Sequence, residues 1–147
     1  MVSLVKRCIN FIRYNEHKSV TLQAWIYSAF YRFQIVSRKV RSIKKHWGLE
    51  GEESSLEVTP QQYRYAKKVS YAVSQVCSKT KWESKCLVRA LTAQKLLKKK
   101  KIGTTLYLGC KYDENGKMVA HAWLRCGQAY VTGGNGEGYA VVDKFKA

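Results

Sequence analysis

The change in hydrophobic period near Gly103 constrains the fold of this chain more than any other feature. Before it, apolar residues recur at steps of three and four, which is typical of amphipathic α-helices. After it, apolar and polar residues alternate, and Asn115-Gly116 and Gly127-Gln128 supply turn signals between short segments. Helices followed by an antiparallel meander predict an α+β fold.

Residues 1–50 are predicted to be a basic amphipathic helical region. A short first helix is followed by a longer one, which Ser19 begins and Gly48 ends. The longer helix carries one apolar stripe, while lysines and arginines mostly fill the remaining positions. The stripe consists of Leu22, Ile26, Ala29, Phe33, Val36, Val40, Ile43 and Trp47.

Residues 51–58 carry acidic side chains without any periodicity, which indicates an acidic linker. Residues 59–147 then form the core of the chain. Its first helix has a strong start, because Thr59 can cap it, Pro60 suits the first helical position and Gln62 completes a capping box. The linker therefore divides the chain into a helical part and a core.

The chain is strongly basic, with 27 Lys and Arg against 10 Asp and Glu and a formal net charge of +17. Such an excess indicates an acidic partner, either nucleic acid, an anionic membrane surface or an acidic polypeptide. No recognition helix or RNA-binding motif is recognisable, which argues against nucleic acid. The charge alone does not choose between the other two.

The five cysteines form an odd set without CxxC spacing, and charges interrupt the apolar N-terminus. We therefore expect reduced thiols and a cytoplasmic location, with membrane association as an alternative and no transmembrane segment. A metal site of Cys110, Cys126 and His121 is disfavoured, because Cys126 has the opposite strand parity to His121 and the spacing matches no zinc motif. No cofactor is expected.

Cys86 is predicted in the first turn of a helix, with Ser84 as its cap. Free backbone N–H groups and the helix dipole favour a thiolate there, so Cys86 is a candidate nucleophile, although a small buried core residue is the alternative. A thiol nucleophile needs an imidazole that protonates the leaving group. His121 lies mid-strand in the same half of the chain, whereas His17 and His46 are predicted to be surface residues of the helical region.

Tight turns predict what faces His121 in the sheet. A two-residue turn at Asn115-Gly116 places Cys110 opposite His121, which makes Cys110 either a rival thiol or a small residue that leaves room for the imidazole. A second two-residue turn after the strand places Gly134 opposite His121 on the other side, with Asn135 close by.

Four sequence blocks, in this order, resemble the leader proteases of lasso-peptide biosynthesis, which are small members of the transglutaminase-like cysteine protease superfamily. The blocks are residues 82–91, 106–109, 120–124 and 131–134. The resemblance covers residues 60–145 and implies a transglutaminase-like or papain-like core, with a nucleophile helix packed on an antiparallel sheet. These proteases occur in bacterial clusters whose processing protein is split into a leader-binding half and a protease half.

The resemblance implies a cysteine peptidase that removes the leader from a ribosomally made lasso-peptide precursor. Cys86 attacks the scissile carbonyl, His121 protonates the departing amine, and water releases the leader from the thioester. The backbone N–H of Cys86 is the implied oxyanion donor, and Trp82 helps to wall the site. The implied partners are the precursor, a separate leader-binding protein and an ATP-dependent cyclase.

The third catalytic residue departs from the pattern of the superfamily. The superfamily usually has an Asp on the strand after the histidine, and the spacing puts that position at Gly133, which has no side chain. Asn135 and Asp143 are the candidates for orienting His121. Each also has an ordinary interpretation, as a loop former and as a solvated residue.

Two other functions are compatible with the same residues. An amide-transferring thiol enzyme would use the same thioester, which sequence does not distinguish from hydrolysis. A basic nucleic-acid-binding or interaction protein would leave the cysteines inert. A further hypothesis is that the helical region, with exposed Trp25, Phe30 and Tyr31, docks a partner, the cyclase or a membrane; packing on the core is the alternative.

Overall fold

A computed structural model describes residues 3–14, 17–80 and 85–147, so two residues with predicted roles, Trp82 and Ser84, lie outside the described residues. The helices are α1 (Leu4–Tyr14), α2 (Lys18–Ser37), α3 (Val40–Ile43), α4 (Pro60–Cys77) and α5 (Cys86–Lys99), with a 3₁₀ turn at Lys44–His46. The strands are β1 (Leu49–Glu50), β2 (Thr105–Tyr112), β3 (Met118–Cys126), β4 (Ala129–Thr132) and β5 (Ala140–Lys146).

The described residues fold as helices followed by one antiparallel sheet, which confirms the predicted α+β class. The strands lie in the order β1-β5-β2-β3-β4. β2, β3 and β4 follow one another as the predicted meander. β5 instead returns across the sheet and pairs with β2 and β1, so the last strand lies away from its neighbour in sequence.

The start of α4 follows its sequence signal. The Thr59 hydroxyl accepts a hydrogen bond from the Gln62 backbone N–H at 3.1 Å, and the Gln62 side chain accepts one from Thr59 N–H at 3.0 Å. These two bonds satisfy donors that a helix start otherwise leaves without a partner. Val69 and Val73 of α4 then lie in the core, against the helices and one face of the sheet.

The long N-terminal helix is shorter than predicted. The helix α2 begins at Lys18, and Ser19 lies inside its first turn, where the Ser19 hydroxyl accepts a hydrogen bond from the Gln23 side chain. The prediction of Ser19 as the cap is therefore wrong. The backbone is extended at Arg38 and Lys39, and this break separates α2 from α3, so a single helix up to Gly48 is also wrong.

The apolar stripe of this region is largely exposed along α2. Val20 and Ala24, which lie on the opposite side of the helix, are the residues that enter the core. Ile43 and Trp47, beyond the break, are buried. The exposed members of the stripe are Leu22, Ile26, Phe33, Val36 and Val40. Thus α2 has two apolar faces, and the core covers one of them.

The three aromatic residues that were predicted to be exposed divide between these faces. Trp25 and Phe30 are about half exposed, at 51% and 49%. Tyr31 instead packs against the core, where burial, with a smaller effect from Tyr27, raises the pKa of Tyr31 to about 12. The prediction of an exposed Tyr31 is therefore wrong. None of the described helices is long and apolar enough to cross a membrane.

The acidic segment 51–58 is held against the sheet. Ser54 is buried, and its backbone N–H donates to the Thr105 hydroxyl at 2.9 Å. Glu53 accepts a hydrogen bond from the Tyr107 hydroxyl at 3.1 Å and pairs with Lys144 at 3.3 Å. These contacts cover the face of the sheet that lies opposite the helices, which we call the second face.

Candidate active site

Cys86 lies in the first turn of α5, as predicted, but the cap position belongs to Lys85, so the prediction of Ser84 as the cap is wrong. Lys85 has an extended conformation, and the Lys85 carbonyl accepts the first helical hydrogen bond from Arg89 N–H at 3.1 Å. The Cys86 N–H therefore belongs to the first turn, where backbone donors have no partner within the helix. Its side chain is half-buried and packs against the core.

His121 lies opposite Gly109 in the β2–β3 pairing, whereas Cys110 lies opposite Ala120. The predicted pairing of Cys110 with His121 is therefore wrong by one residue. Because side chains alternate along a strand, a shift of one residue moves a side chain to the other face. Cys110 thus points away from the face that carries His121 and is not its neighbouring thiol.

The length of the β2–β3 turn explains this shift. The Asp113 N–H donates to the Lys117 carbonyl at 2.9 Å, which leaves three residues in the turn where two were predicted. Gly116 takes the left-handed conformation, with φ +74°, and the Asp113 carboxylate accepts bonds from Asn115 N–H and Lys117 N–H. This is the common three-residue hairpin, and it changes the register by one.

Aromatic rings surround the imidazole of His121 on the second face. Its ring stacks with Trp123 at 5.8 Å between centroids, and Trp123 stacks with Tyr107 at 5.4 Å. Tyr139 lies 4.8 Å from the imidazole. Gly109 leaves room for these rings, since a Cβ there would lie 2.7 Å from a ring carbon of Trp123. Packing thus restricts the position of the imidazole.

Among the residues that the structure describes, the imidazole of His121 has one hydrogen-bond partner, the backbone carbonyl of Gly133, which lies 2.7 Å from Nε2. A carbonyl oxygen only accepts, so Nε2 carries the proton. In the neutral ring Nδ1 is then the basic nitrogen. The bond fixes both the orientation and the tautomer of the candidate acid/base residue.

The Gly133 carbonyl lies beside His121 Nε2 because the β3–β4 register changes near the end of β4. Arg125 pairs with Tyr130 as predicted, but Leu124 pairs with Thr132, so one extra residue lies on the β4 side. The predicted pairing of Gly134 with His121 is therefore wrong. Gly133 has φ +75°, and a Cβ there would lie 2.5 Å from the Ala122 carbonyl.

Neither candidate for the third catalytic residue hydrogen-bonds to His121. The Asn135 side chain accepts a bond from Glu137 N–H at 3.0 Å, as a loop former does. Asp143 pairs with Lys44 and lies opposite Leu108 in the β2–β5 pairing. The sequence did not reveal the Gly133 carbonyl as the partner of His121, because every residue has a backbone carbonyl. The only indirect signal is that a glycine stands where the superfamily usually has Asp.

Cys86 and His121 do not hydrogen-bond to each other. The thiol lies where α5 meets the core, and the imidazole lies on the second face of the sheet. His46 is exposed as predicted, whereas His17 is half-buried just before α2. Within the described parts of the chain, no group of three or more His, Cys, Asp or Glu side chains could hold a metal ion.

The buried thiol of Cys126 is predicted to be unreactive. Burial raises the pKa of Cys126, and the charge of Arg125 only partly opposes this effect. Because the thiolate is the reactive form, we expect iodoacetamide at neutral pH to alkylate Cys126 at least about 100-fold more slowly than exposed Cys8. Mass mapping of alkylated peptides measures both rates, and urea-unfolded protein is the control. Equal rates in the folded protein would contradict this prediction.

The buried guanidinium of Arg125 holds together the groups on the second face of the sheet through hydrogen bonds. It donates to the Tyr107 hydroxyl at 3.0 Å, the Gly127 carbonyl at 2.6 Å and the Ser54 carbonyl at 3.1 Å. It also donates to the Thr105 hydroxyl at 3.2 Å. These bonds tie the segment 51–58 to the strands that carry His121.

We expect Arg125→Met to lower the free energy of unfolding by about 3 kcal/mol, because several buried acceptors lose their donor. Urea denaturation measures this change. Arg41→Met makes the same chemical change at an exposed position and is expected to cost no more than about 0.5 kcal/mol. Equal costs for the two variants would show that the buried bonds contribute little.

The family model of the Transglutaminase-like superfamily matches residues 30–144. This is more than half of the chain, and the chain belongs to this superfamily. The match extends from α2 into β5 and includes Cys86, His121 and Gly133. At the level of the superfamily, membership supports a cysteine-type enzyme. No curated protein and no solved structure matches the chain.

Proposed function

We propose that this protein is a cysteine peptidase that removes the leader from a lasso-peptide precursor. Superfamily membership supports a cysteine-type enzyme, and the four sequence blocks support the leader-protease assignment. The observation that carries the chemistry is the hydrogen bond from His121 Nε2 to the Gly133 carbonyl, because it leaves Nδ1 as a base. Reduced thiols suit the cytoplasm as the place of reaction.

The proposed reaction begins when His121 Nδ1 takes the proton of the Cys86 thiol. The sulfur attacks the scissile carbonyl, and the resulting oxyanion accepts a hydrogen bond from the Cys86 backbone N–H. Nδ1 then gives its proton to the departing amine of the core peptide, which leaves the leader bound as a thioester. Water hydrolyses the thioester and restores the thiol.

This chemistry requires that Nδ1 comes within hydrogen-bond distance of the Cys86 sulfur. Cys86 and His121 form no hydrogen bond with each other, and catalytic hydrogen bonds commonly tighten only when substrate is bound. We propose that the start of α5 shifts toward His121 when the precursor binds, while the Gly133 carbonyl keeps its hydrogen bond with Nε2. Trp82 stays a proposed wall of this site.

The Gly133 carbonyl is proposed to replace the carboxylate that usually orients the histidine. A neutral acceptor holds the ring and its tautomer, but it supplies no full negative charge to the imidazolium that forms during the reaction. We therefore infer that orientation, more than charge, is what this position contributes. Asn135 and Asp143 keep their contacts within the loop and with Lys44.

The proposed partners are the precursor, a separate leader-binding protein and an ATP-dependent cyclase that uses the amine set free by cleavage. Amide transfer is the competing outcome, since the same thioester can react with an amine in place of water. The products separate the two reactions: hydrolysis gives a leader with a free carboxyl group, and transfer gives a leader joined to the amine.

The test is to incubate the full chain with candidate precursor peptides, with and without a leader-binding protein, and to identify products by mass. We expect two fragments whose masses sum to that of the precursor plus one water. A leader that carries an added amine would favour transfer. An intact precursor under every condition would contradict the peptidase proposal.

A further inference from the structure

The exposed face of α2 is apolar along most of the helix. Its members are Leu22, Trp25, Ile26, Phe30, Phe33 and Val36, all of them exposed. At about 100° per residue they occupy roughly 140° of the helix circumference. The opposite side of the same helix packs on α4 and α5. The exposed face can therefore contact something else while the core stays intact.

The helix α1 adds a second amphipathic surface. Leu4, Val5, Ile9 and Ile12 share one face, and Leu4 is 80% exposed. Lys6, Arg7 and Arg13 occupy the remaining side of the helix. None of the eleven residues of α1 is buried. A helix with a basic face, an apolar face and no cover within the described chain is typical of helices that lie in a membrane interface.

The charge around these faces has a single sign. Residues 1–47 contain ten Lys and Arg, and Glu16 is their only acidic residue. A protein partner would favour a mixture of charges that defines one orientation, with charged residues depleted at the centre of the contact. The basic residues lie on α1 and mainly at the ends of α2, with Lys18 at its start and Arg38 and Lys39 just beyond Ser37, and an anionic bilayer attracts such cations while it takes up the apolar side chains.

We propose that α1 and the exposed face of α2 dock this protein on an anionic lipid surface. Aromatic side chains on the same helices suit the boundary between lipid headgroups and acyl chains. They are Phe11, Tyr14, Trp25, Phe30 and Phe33. Since α2 packs on α4 and α5 through its other side, docking holds the rest of the fold at the surface without disturbing the core. This inference does not depend on the proposed peptidase activity.

The test uses the full chain and two kinds of vesicle, one of phosphatidylcholine alone and one in which phosphatidylglycerol replaces about a third of it. Co-sedimentation measures the bound fraction. We expect binding to the anionic vesicles to be at least about tenfold tighter and to weaken as salt is raised, because salt screens the lysines and arginines. Equal binding to both vesicles, or none to either, would overturn the proposal.

Paired variants separate docking from folding. Ile9→Glu with Phe33→Glu places two charges on the apolar faces and is expected to weaken vesicle binding at least about tenfold, with an unchanged circular dichroism spectrum. Both residues are exposed, so the core is not altered. Met118→Glu with Tyr112→Glu adds the same charge at an exposed end of the β2–β3 hairpin and is expected to change binding no more than about twofold.

An equal loss of binding in the two double variants would show that only net charge matters and would overturn docking through these helices. The other occupant of the surface is a second copy of the chain. Light scattering measures whether the native protein is a dimer and whether Ile9→Glu with Phe33→Glu dissociates it. If it does, and if the native protein does not bind anionic vesicles, the face is a protein interface and the lipid proposal is wrong.

Discussion

Replacing Cys86 with Ala is expected to lower the rate of precursor cleavage by about 10⁴-fold or more, because no other group in the proposed site can form the thioester. His121→Ala is expected to cause a loss of similar size. If the two residues act as one unit, the double variant loses little more than either single variant. Rates of product formation, measured by mass, test all three.

Matched cysteine variants are the controls for this prediction. Cys110 faces away from His121, and Cys8 lies exposed on α1, so Cys110→Ala and Cys8→Ala are expected to keep cleavage within about twofold. Normal cleavage by Cys86→Ala together with lost cleavage by Cys110→Ala would move the nucleophile to β2. If the fold-loss of cleavage rate in the double variant equalled the product of the losses in Cys86→Ala and His121→Ala, the two residues would act independently, which would contradict a paired mechanism.

Replacing Gly133 with Ala is expected to have the second-largest effect. A Cβ at this position meets the Ala122 carbonyl at 2.5 Å, so the loop must shift and carry away the carbonyl that holds His121 Nε2. We expect a loss of about 10²-fold in cleavage rate, since small displacements of a positioned group have effects of this size. The free energy of unfolding should fall by about 3 kcal/mol, from left-handed strain plus overpacking.

Gly134→Ala is the matched control. Gly134 has φ +68°, so an alanine there has the same left-handed strain, but nothing lies within 4 Å of the added Cβ. We expect Gly134→Ala to cost about 1 kcal/mol of stability and to leave cleavage nearly unchanged. The pH profile of kcat/KM should move only in Gly133→Ala, because only there does the imidazole lose its fixed acceptor. Identical profiles for both variants would contradict a positioning role for Gly133.

The sequence predicted those parts of the fold that depend on local signals. The capping box at Thr59, the start of α5 at Cys86 and the antiparallel strands after Gly103 are all present. The strand register was not predictable, because one extra residue in the turn before Lys117 moves every pair by one. The placement of β5 beside β2 depends on long-range packing, which no local signal encodes.

The helix α2 shows why periodicity alone does not identify the buried side. Its two apolar faces have the same period, and the larger side chains, such as Phe33, lie on the exposed one. The face that packs in the core carries Val20, Ala24 and Ser28. Tyr27, Tyr31 and Ile35 on the same side also pack against the core, so neither the period nor the size of the side chains identifies the buried face, and the contacts with α4 and α5 decide it.

The proposed site could be predicted only in part. A cysteine at a helix start and a histidine in a strand carry clear chemical signals. The orienting acceptor is a backbone carbonyl, and every residue has one, so only geometry identifies it. The run of glycines that begins at Gly133 was the indirect signal, because left-handed residues there let the main chain approach Trp123 closely.

The position of β5 has a consequence for the order of folding. β2, β3 and β4 are joined by short turns, so they can pair as soon as they are made. The β1–β5 contact joins Leu49 to Lys146, roughly a hundred residues apart, and must close a long loop. We therefore expect the hairpins to acquire protection from hydrogen exchange first and β1 last, so that completion of the sheet limits the folding rate.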